Sequence, residues 1–206
     1  MRYKYLLICL ITILTSLFII PTFAQNEQAI KHYNLGVEAS NNGNYKHATT
    51  LYSIALGYDL EFLSAFYNRG WSYYHLGNYK KALDDFNQVI RMDATYALAY
   101  NNRGLCHDKL KEHELAIIDY EKSIELNPLD HKPYFNMGLT YMSKGEVKAA
   151  KICFDYSIKL NPMQSEAYKN RGLILEILGI DPCEDFKSAC LFGEHECCEW
   201  EKIKCN

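Results

Sequence analysis

Five glycines stand 34 residues apart, at Gly36, Gly70, Gly104, Gly138 and Gly172. An asparagine precedes each by two residues: Asn34, Asn68, Asn102, Asn136 and Asn170. Twelve residues after the first four glycines come Ala48, Ala82, Ala116 and Ala150, and four further on the aromatics Tyr52, Phe86, Tyr120 and Phe154. Self-similarity at a fixed period of this length marks a repeat array. Each unit is then one supersecondary element that buries its apolar face only against its neighbours. The register divides the chain into units 29–62, 63–96, 97–130, 131–164 and 165–192, followed by a segment 193–206.

Physical chemistry explains the repeated positions. Gly and Ala are small where the two helices of a hairpin approach closely, because a larger side chain overpacks that contact. The aromatic and the Leu56, Ile90, Ile124 or Ile158 four residues later share one helix face and fill the core. Turn signals fall between the helices at Asn42-Gly43, Gly77-Asn78, Lys144-Gly145 and Gly179. A coupled pair supports the register. Arg69 and Arg103 occur in the units that carry Asp85 and Asp119, whereas Leu35 and Met137 occur in those with Leu51 and Cys153. Charge and apolarity switch together, as expected of side chains that meet inside a hairpin, where a lone charge is prohibitive. Arg171 finds Asp185 if the fifth unit has a loop two residues shorter, which predicts a complete fifth hairpin with its second helix near 182–191.

This period, with its small and aromatic positions, resembles the tetratricopeptide repeat family, and the likeness covers about residues 29–192. The resemblance implies an all-α fold: a right-handed α-solenoid of about five helix-turn-helix units with a C-terminal capping helix. Departures are Leu60 and Ala94 where the family has Pro, and Lys111 in place of the mid-unit Gly. Such arrays usually present a concave face lined by their first helices. Here the resemblance implies a peptide-binding groove bearing Tyr33, Tyr67, Trp71, Tyr74, His75, Leu105, Phe135 and Leu139. Rigid aromatics at exposed positions are the informative anomaly, since they anchor peptides and interfaces. Asn68, Asn102 and Asn136 either bond the backbone of a bound peptide or bond between helices inside the array. Positions where some members carry a Lys-rich clamp for carboxylate-ended peptides hold aromatic and apolar residues.

The first 24 residues read as an address. Arg2 and Lys4 precede an uncharged stretch from Tyr5 to Ile20, then Pro21-Thr22-Phe23-Ala24, which describes a secretory signal peptide cleaved after Ala24. The alternative is an uncleaved anchor, as Tyr5 to Ala24 is about long enough to span a bilayer. Either way the body lies outside the cytoplasm, in the periplasm, envelope or medium, and the protein reads as an exported member of bacterial type. Cleavage takes the net charge from −3 to −5 by removing two basic groups. That balance gives no footprint for nucleic acid, and no membrane span is expected after cleavage.

Five cysteines follow residue 182: Cys183, Cys190, Cys197, Cys198 and Cys205. In an exported chain they read as disulfides before metal. If 183–191 and about 195–204 are antiparallel helices joined around Gly193, facing residues share an index sum. Cys183 with Cys205 and Cys190 with Cys198 both sum to 388. Two nested bridges would staple the last helix as a cap, with Trp200 over the open apolar end of the array. The alternatives are free thiols, or a zinc site from His195 and four cysteines, for which there is no CxxC knuckle. Cys106 and Cys153 read as buried thiols.

Nucleophile elbows, Walker loops and Rossmann glycines are missing, and His113-Glu114 and His195-Glu196 fail to close an HExxH pattern. No catalytic residue, cofactor or metal ligand is therefore expected. The leading expectation is a non-catalytic exported scaffold or adaptor for a protein or peptide segment. A structural component of the envelope acting by self-association is the alternative, and a redox or zinc module in the tail the third.

Overall fold

The computed structural model describes residues 26–205, and the signal peptide or anchor expected over residues 1–24 lies outside them. The described residues form eleven helices. They are α1 (26–41), α2 (Tyr45–Tyr58), α3 (Leu63–His75), α4 (Tyr79–Met92), α5 (Ala97–Lys109), α6 (His113–Leu126), α7 (His131–Ser143), α8 (Val147–Leu160), α9 (Ser165–Ile177), α10 (Cys183–Leu191) and α11 (His195–Lys204). They pack pairwise as helix-turn-helix units, and α11 is the odd final helix. The chain divides into two compact units after Met92, the first carrying α1–α4 and the second α5–α11. None of the described helices is long and apolar enough to cross a membrane.

Backbone chemistry explains why the hairpins are so tight. The α1–α2 turn places Gly43 at φ +73°. Gly43 N–H donates to Ser40 O at 2.9 Å and Asn44 N–H to Ala39 O at 2.9 Å, so the last carbonyls of α1 are satisfied as the chain reverses. Asn44 then caps α2, its side chain accepting from the His47 N–H. The same pair of bonds closes the turn at Lys111, which takes φ +67° without being a glycine. Between hairpins, Asp59 and Asp93 accept from the Glu61 and Thr95 N–H groups at 2.9 and 2.8 Å. These Asx turns stand where Leu60 and Ala94 replace the expected proline.

Each hairpin closes when the aromatic of its second helix lies over the glycine of its first. In the first unit, a Cβ built on Gly36 would lie 2.7 Å from the Tyr52 ring, and one on Gly70 3.1 Å from Phe86. In the second unit the distances are 2.7 Å from Gly104 to Tyr120, 2.8 Å from Gly138 to Phe154 and 2.6 Å from Gly172 to Phe186. The glycine is thus small because a ring lies on its backbone, a more specific reason than helix proximity. These rings are almost fully buried.

Beside each of three such contacts lies a forked ion pair. Arg69 Nη2 meets Asp85 Oδ1 at 2.7 Å and Nε meets Oδ2 at 2.9 Å. Arg103 holds Asp119 at 2.6 and 2.8 Å, and Arg171 holds Asp185 at 2.7 and 2.8 Å. The carboxylates are 4–6% exposed, so the fork replaces their water. Burial pushes the Asp85 carboxyl up from its usual value, against the pull of Arg69. Leu51 and Cys153 occupy the aspartate position where no arginine faces it, and both are buried.

The tail folds back on the fifth hairpin. Cys183 is bridged to Cys205 and Cys190 to Cys198, the nested pairing expected from the index sums. Phe186, Ala189 and Cys197 are buried together, and Trp200 stands edge-on to Phe186 with ring centroids 5.2 Å apart. Lys169 pairs with Glu194 and Glu196 at 3.2 Å, and Lys204 with Glu176 at 2.6 Å. Each bridge contributes about 2–4 kcal/mol by restricting the unfolded chain. Cys106, Cys153 and Cys197 are free and buried. Burial pushes the Cys106 thiol to about 12 and the Cys153 thiol to about 11. With four tail cysteines bridged, the described residues contain no group of three or more His, Cys, Asp or Glu arranged for a metal.

Three outcomes are expected in thermal and chemical denaturation. Gly104→Ala pushes a methyl into the Tyr120 ring and destabilises by about 1–3 kcal/mol, whereas Lys111→Gly relieves a left-handed backbone and stabilises by about 1 kcal/mol. Arg103→Leu strands the Asp119 carboxylate and destabilises by about 3–5 kcal/mol, most of it recovered in Arg103→Leu/Asp119→Leu. Iodoacetamide at neutral pH leaves the native thiols unmodified; in denaturant it labels Cys106, Cys153 and Cys197, and mass spectrometry finds the other four tail cysteines blocked until a reductant is added.

Candidate functional site

On the first unit, α3 turns an aromatic face outward. Trp71, Tyr74 and His75 recur at three- and four-residue intervals and so share one side of the helix. Trp71 and Tyr74 stack at 5.4 Å with rings 5° from parallel. His75 stands edge-on to Trp71 at 4.5 Å, and Tyr45, the first residue of α2, stacks on His75 at 4.4 Å. Tyr79, opening α4, closes against Tyr74 at 5.6 Å. Aromatic contacts of this kind contribute about 0.5–1.5 kcal/mol each beyond area burial, so the rings hold one another in place without a ligand.

Beside this wall lies a cleft of about 350 Å³ lined by Val37, Ser40, Asn41, Tyr45, Tyr52, Asn68 and Trp71. No Asp, Glu, Lys or Arg is among them. Burial lowers the pKa of His75 below its ordinary value, which favours the neutral imidazole. Burial also pushes the Tyr52 hydroxyl up to about 12, with Tyr33 adding to the effect.

The other groove residues expected on this unit serve the core. Tyr67 packs edge-on against Phe86 at 5.9 Å. Tyr33 lies 4.7 Å from the Phe62 ring, and its hydroxyl accepts from Asn68 Nδ2 at 2.9 Å, which ties α1 to α3.

On the second unit, Leu139 is 39% exposed and Leu105 half-buried, while Phe135 tilts against Phe154 at 5.6 Å. Asn102 is 6% exposed and accepts from Asn101 Nδ2, while Asn136 donates to Asn101 Oδ1 at 2.9 Å. Asn68 and Asn136 therefore make helix-to-helix bonds, whereas the Asn102–Asn101 bond and the Asn170 bond stay within α5 and α9. Of the two roles open to them, Asn68 and Asn136 display the inner one, and Asn102 is buried. Asp108 is likewise engaged: its carboxylate accepts from the Tyr120 and Thr140 hydroxyls at 2.7 and 2.6 Å and meets His113 Nδ1 at 3.1 Å.

The arginine–aspartate pairs and the two disulfides tie neighbouring helices together, and none of these residues lines the cleft. Tyr45 opens a second helix, outside the first-helix positions that the family resemblance implies for a groove. Its signal was the aromatic recurring 34 residues later at Tyr79.

The tetratricopeptide repeat family matches at residues 64–96 and 97–129, and again at 119–151. No curated protein matches the sequence. Among solved structures, the chain is similar to MamA at 26% identity, covering 78% of this chain and 95% of that one, with a TM-score of 0.70. YrrB, described as a tetratricopeptide repeat protein with an unusual peptide-binding site, shares the fold at 23% identity, 86% and 93% coverage and a TM-score of 0.65. The first repeat domain of Spaghetti (RPAP3), bound to the HSP90 peptide SRMEEVD, shares it at 23% identity, 58% and 95% coverage and 0.56. Repeat register, glycine-on-ring hairpins and family match together make this chain a tetratricopeptide repeat protein.

Proposed function

We propose that the protein is a non-catalytic exported scaffold that captures a segment of another protein against the aromatic wall of its first unit. The observation that carries this reading is the stacked set Tyr45, Trp71, Tyr74 and His75, held rigid beside an open cleft. Preorganised aromatics lose little side-chain freedom on binding, so more of the buried area appears as affinity. Proteins of this fold hold peptides, as the Spaghetti domain does its HSP90 peptide. Export rests on Arg2, Lys4 and the uncharged stretch after them, and the paired cysteines of the tail suit an oxidising compartment.

Trp71→Ala is expected to weaken capture of the partner from native envelope and secreted fractions by about 30-fold or more, the loss typical of a central aromatic anchor. Circular dichroism of the variant is expected to match wild type, since Trp71 lies outside the buried core. Equal capture by the folded variant and wild type overturns the reading.

A further inference from the structure

We propose that two copies of this chain pair through the outer faces of α6 and α8, each copy's α6 lying on the partner's α8. One outer position of the second helices runs at the 34-residue spacing as Thr50, Asp84, Ile118 and Ile152. All four are exposed, so the polar Thr50 and Asp84 suit water and the two isoleucines do not. Ile118 is 59% exposed and Ile152 57%. Leu115 and Tyr156 widen the strip at 47% and 50%, with Tyr156 stacked on Tyr134 at 5.5 Å. Both helices pack on α7, and burial followed by the Glu121 carboxylate pushes the Cys153 thiol up, which places α6 beside α8. An exposed apolar strip with charged edges marks an interaction surface.

Charge says what covers it. Glu114 and Glu125 stand at the two ends of α6, and the equivalent positions of α8 hold Lys148 and Lys159. All four are exposed. Glu114 meets Lys144 at 3.3 Å and Glu125 meets Lys122 at 2.8 Å, while among the described residues Lys148 and Lys159 make no ion pair. On the outer face of α6, Glu114, Glu121 and Glu125 against Lys122 leave −2; on α8, Lys148, Lys151 and Lys159 against Asp155 leave +2. A nucleic acid or an anionic bilayer is repelled by α6, and a basic protein by α8. The fitting partner carries an acidic and a basic stripe side by side, and this chain does. A two-fold axis along the helices sets each α6 on the partner's α8 at the same height, because the repeat holds equivalent residues level. Glu114 then faces the partner's Lys148, Ile118 the partner's Ile152, and Glu125 the partner's Lys159. Such a contact is isologous and forms twice. Glu121 facing the partner's Asp155 is the like-charged match. Asp155 is already held by Arg171 at 2.7 Å and Lys151 at 2.9 Å, which reduces its repulsion.

Two 14-residue helices per copy make a small interface, so the dimer is expected to be weak and salt-dependent. Sedimentation equilibrium of the processed full chain is expected to show monomer and dimer exchanging with concentration. Raising the ionic strength from about 0.1 M to about 1 M is expected to shift the balance to monomer. Glu114→Lys/Glu125→Lys makes both outer faces basic, and Lys148→Glu/Lys159→Glu makes both acidic. Each variant is expected to keep its circular dichroism, since the four positions are exposed, and to self-associate about tenfold more weakly or less still. Mixed in equal amounts, the two variants are expected to pair with each other, because every basic helix then meets an acidic one. Ile118→Ser/Ile152→Ser leaves the charges in place and is expected to weaken the wild-type dimer similarly. A wild type that stays monomeric up to roughly 1 mM, self-association that the reversals leave unweakened, or a mixture that remains monomeric each overturns the proposal. None of these residues lines the Trp71 cleft, so the peptide-binding reading stands or falls separately.

Discussion

A ring lying on a bare backbone holds each hairpin of this protein together. The side chains of Tyr52, Phe86, Tyr120, Phe154 and Phe186 cross from one helix onto the glycine of its partner. That contact sets how closely the two helices approach, and everything else in the hairpin is arranged around it. The alanine twelve residues after the glycine, the tight left-handed turn and the forked ion pair all presuppose that spacing. A glycine inside a helix costs about 1 kcal/mol in propensity relative to alanine. Here the cost is offset by burying a whole aromatic ring, a contribution of several kcal/mol at ordinary transfer values.

The ion pairs behave as consequences of the same geometry. Once the hairpin closes, the residue beside the glycine and the residue before the ring face one another within it, at 5% exposure for Asp85. Two charges in that position must form a bidentate pair or both be replaced by apolar groups, because a single buried charge is far more costly than either arrangement. Both solutions occur along this chain, and the fifth hairpin adds Asp155 to the Arg171–Asp185 pair at 2.7 Å. The tail solves a different problem. Repeat arrays need a finished end, and α11 covers Phe186 with Trp200 while two disulfides tie it to α10. That helix has only ten residues, too few to be stable alone in water.

The aromatic wall of the first unit follows from the same economy of contacts. Core rings point inward from second helices, so aromatics on the outer face of α3 have no core to enter. They stack on one another and on Tyr45 instead. The result is a surface of mutually stacked rings beside a cleft.

Much of this was legible in the sequence. The 34-residue period, the small and aromatic positions, the matched Arg and Asp, the two-residue deletion before Asp185 and the equal index sums of the cysteines are one-dimensional facts with direct geometric meaning. They determined the all-α repeat class, the helix pairing and the nested bridges, because a periodic array repeats its contacts at fixed separations. What only the tertiary structure decided were contacts between side chains whose directions depend on how neighbouring helices lie. Tyr45 joins His75 across thirty residues that no repeat spacing links. Asn102 turns inward to Asn101, although its position alone allowed a place facing a ligand. Lys111 adopts a glycine's backbone because the hairpin around it demands that turn whichever residue occupies it. Periodicity specifies which residues recur, whereas the orientation of each side chain is set by the packing of its particular neighbours.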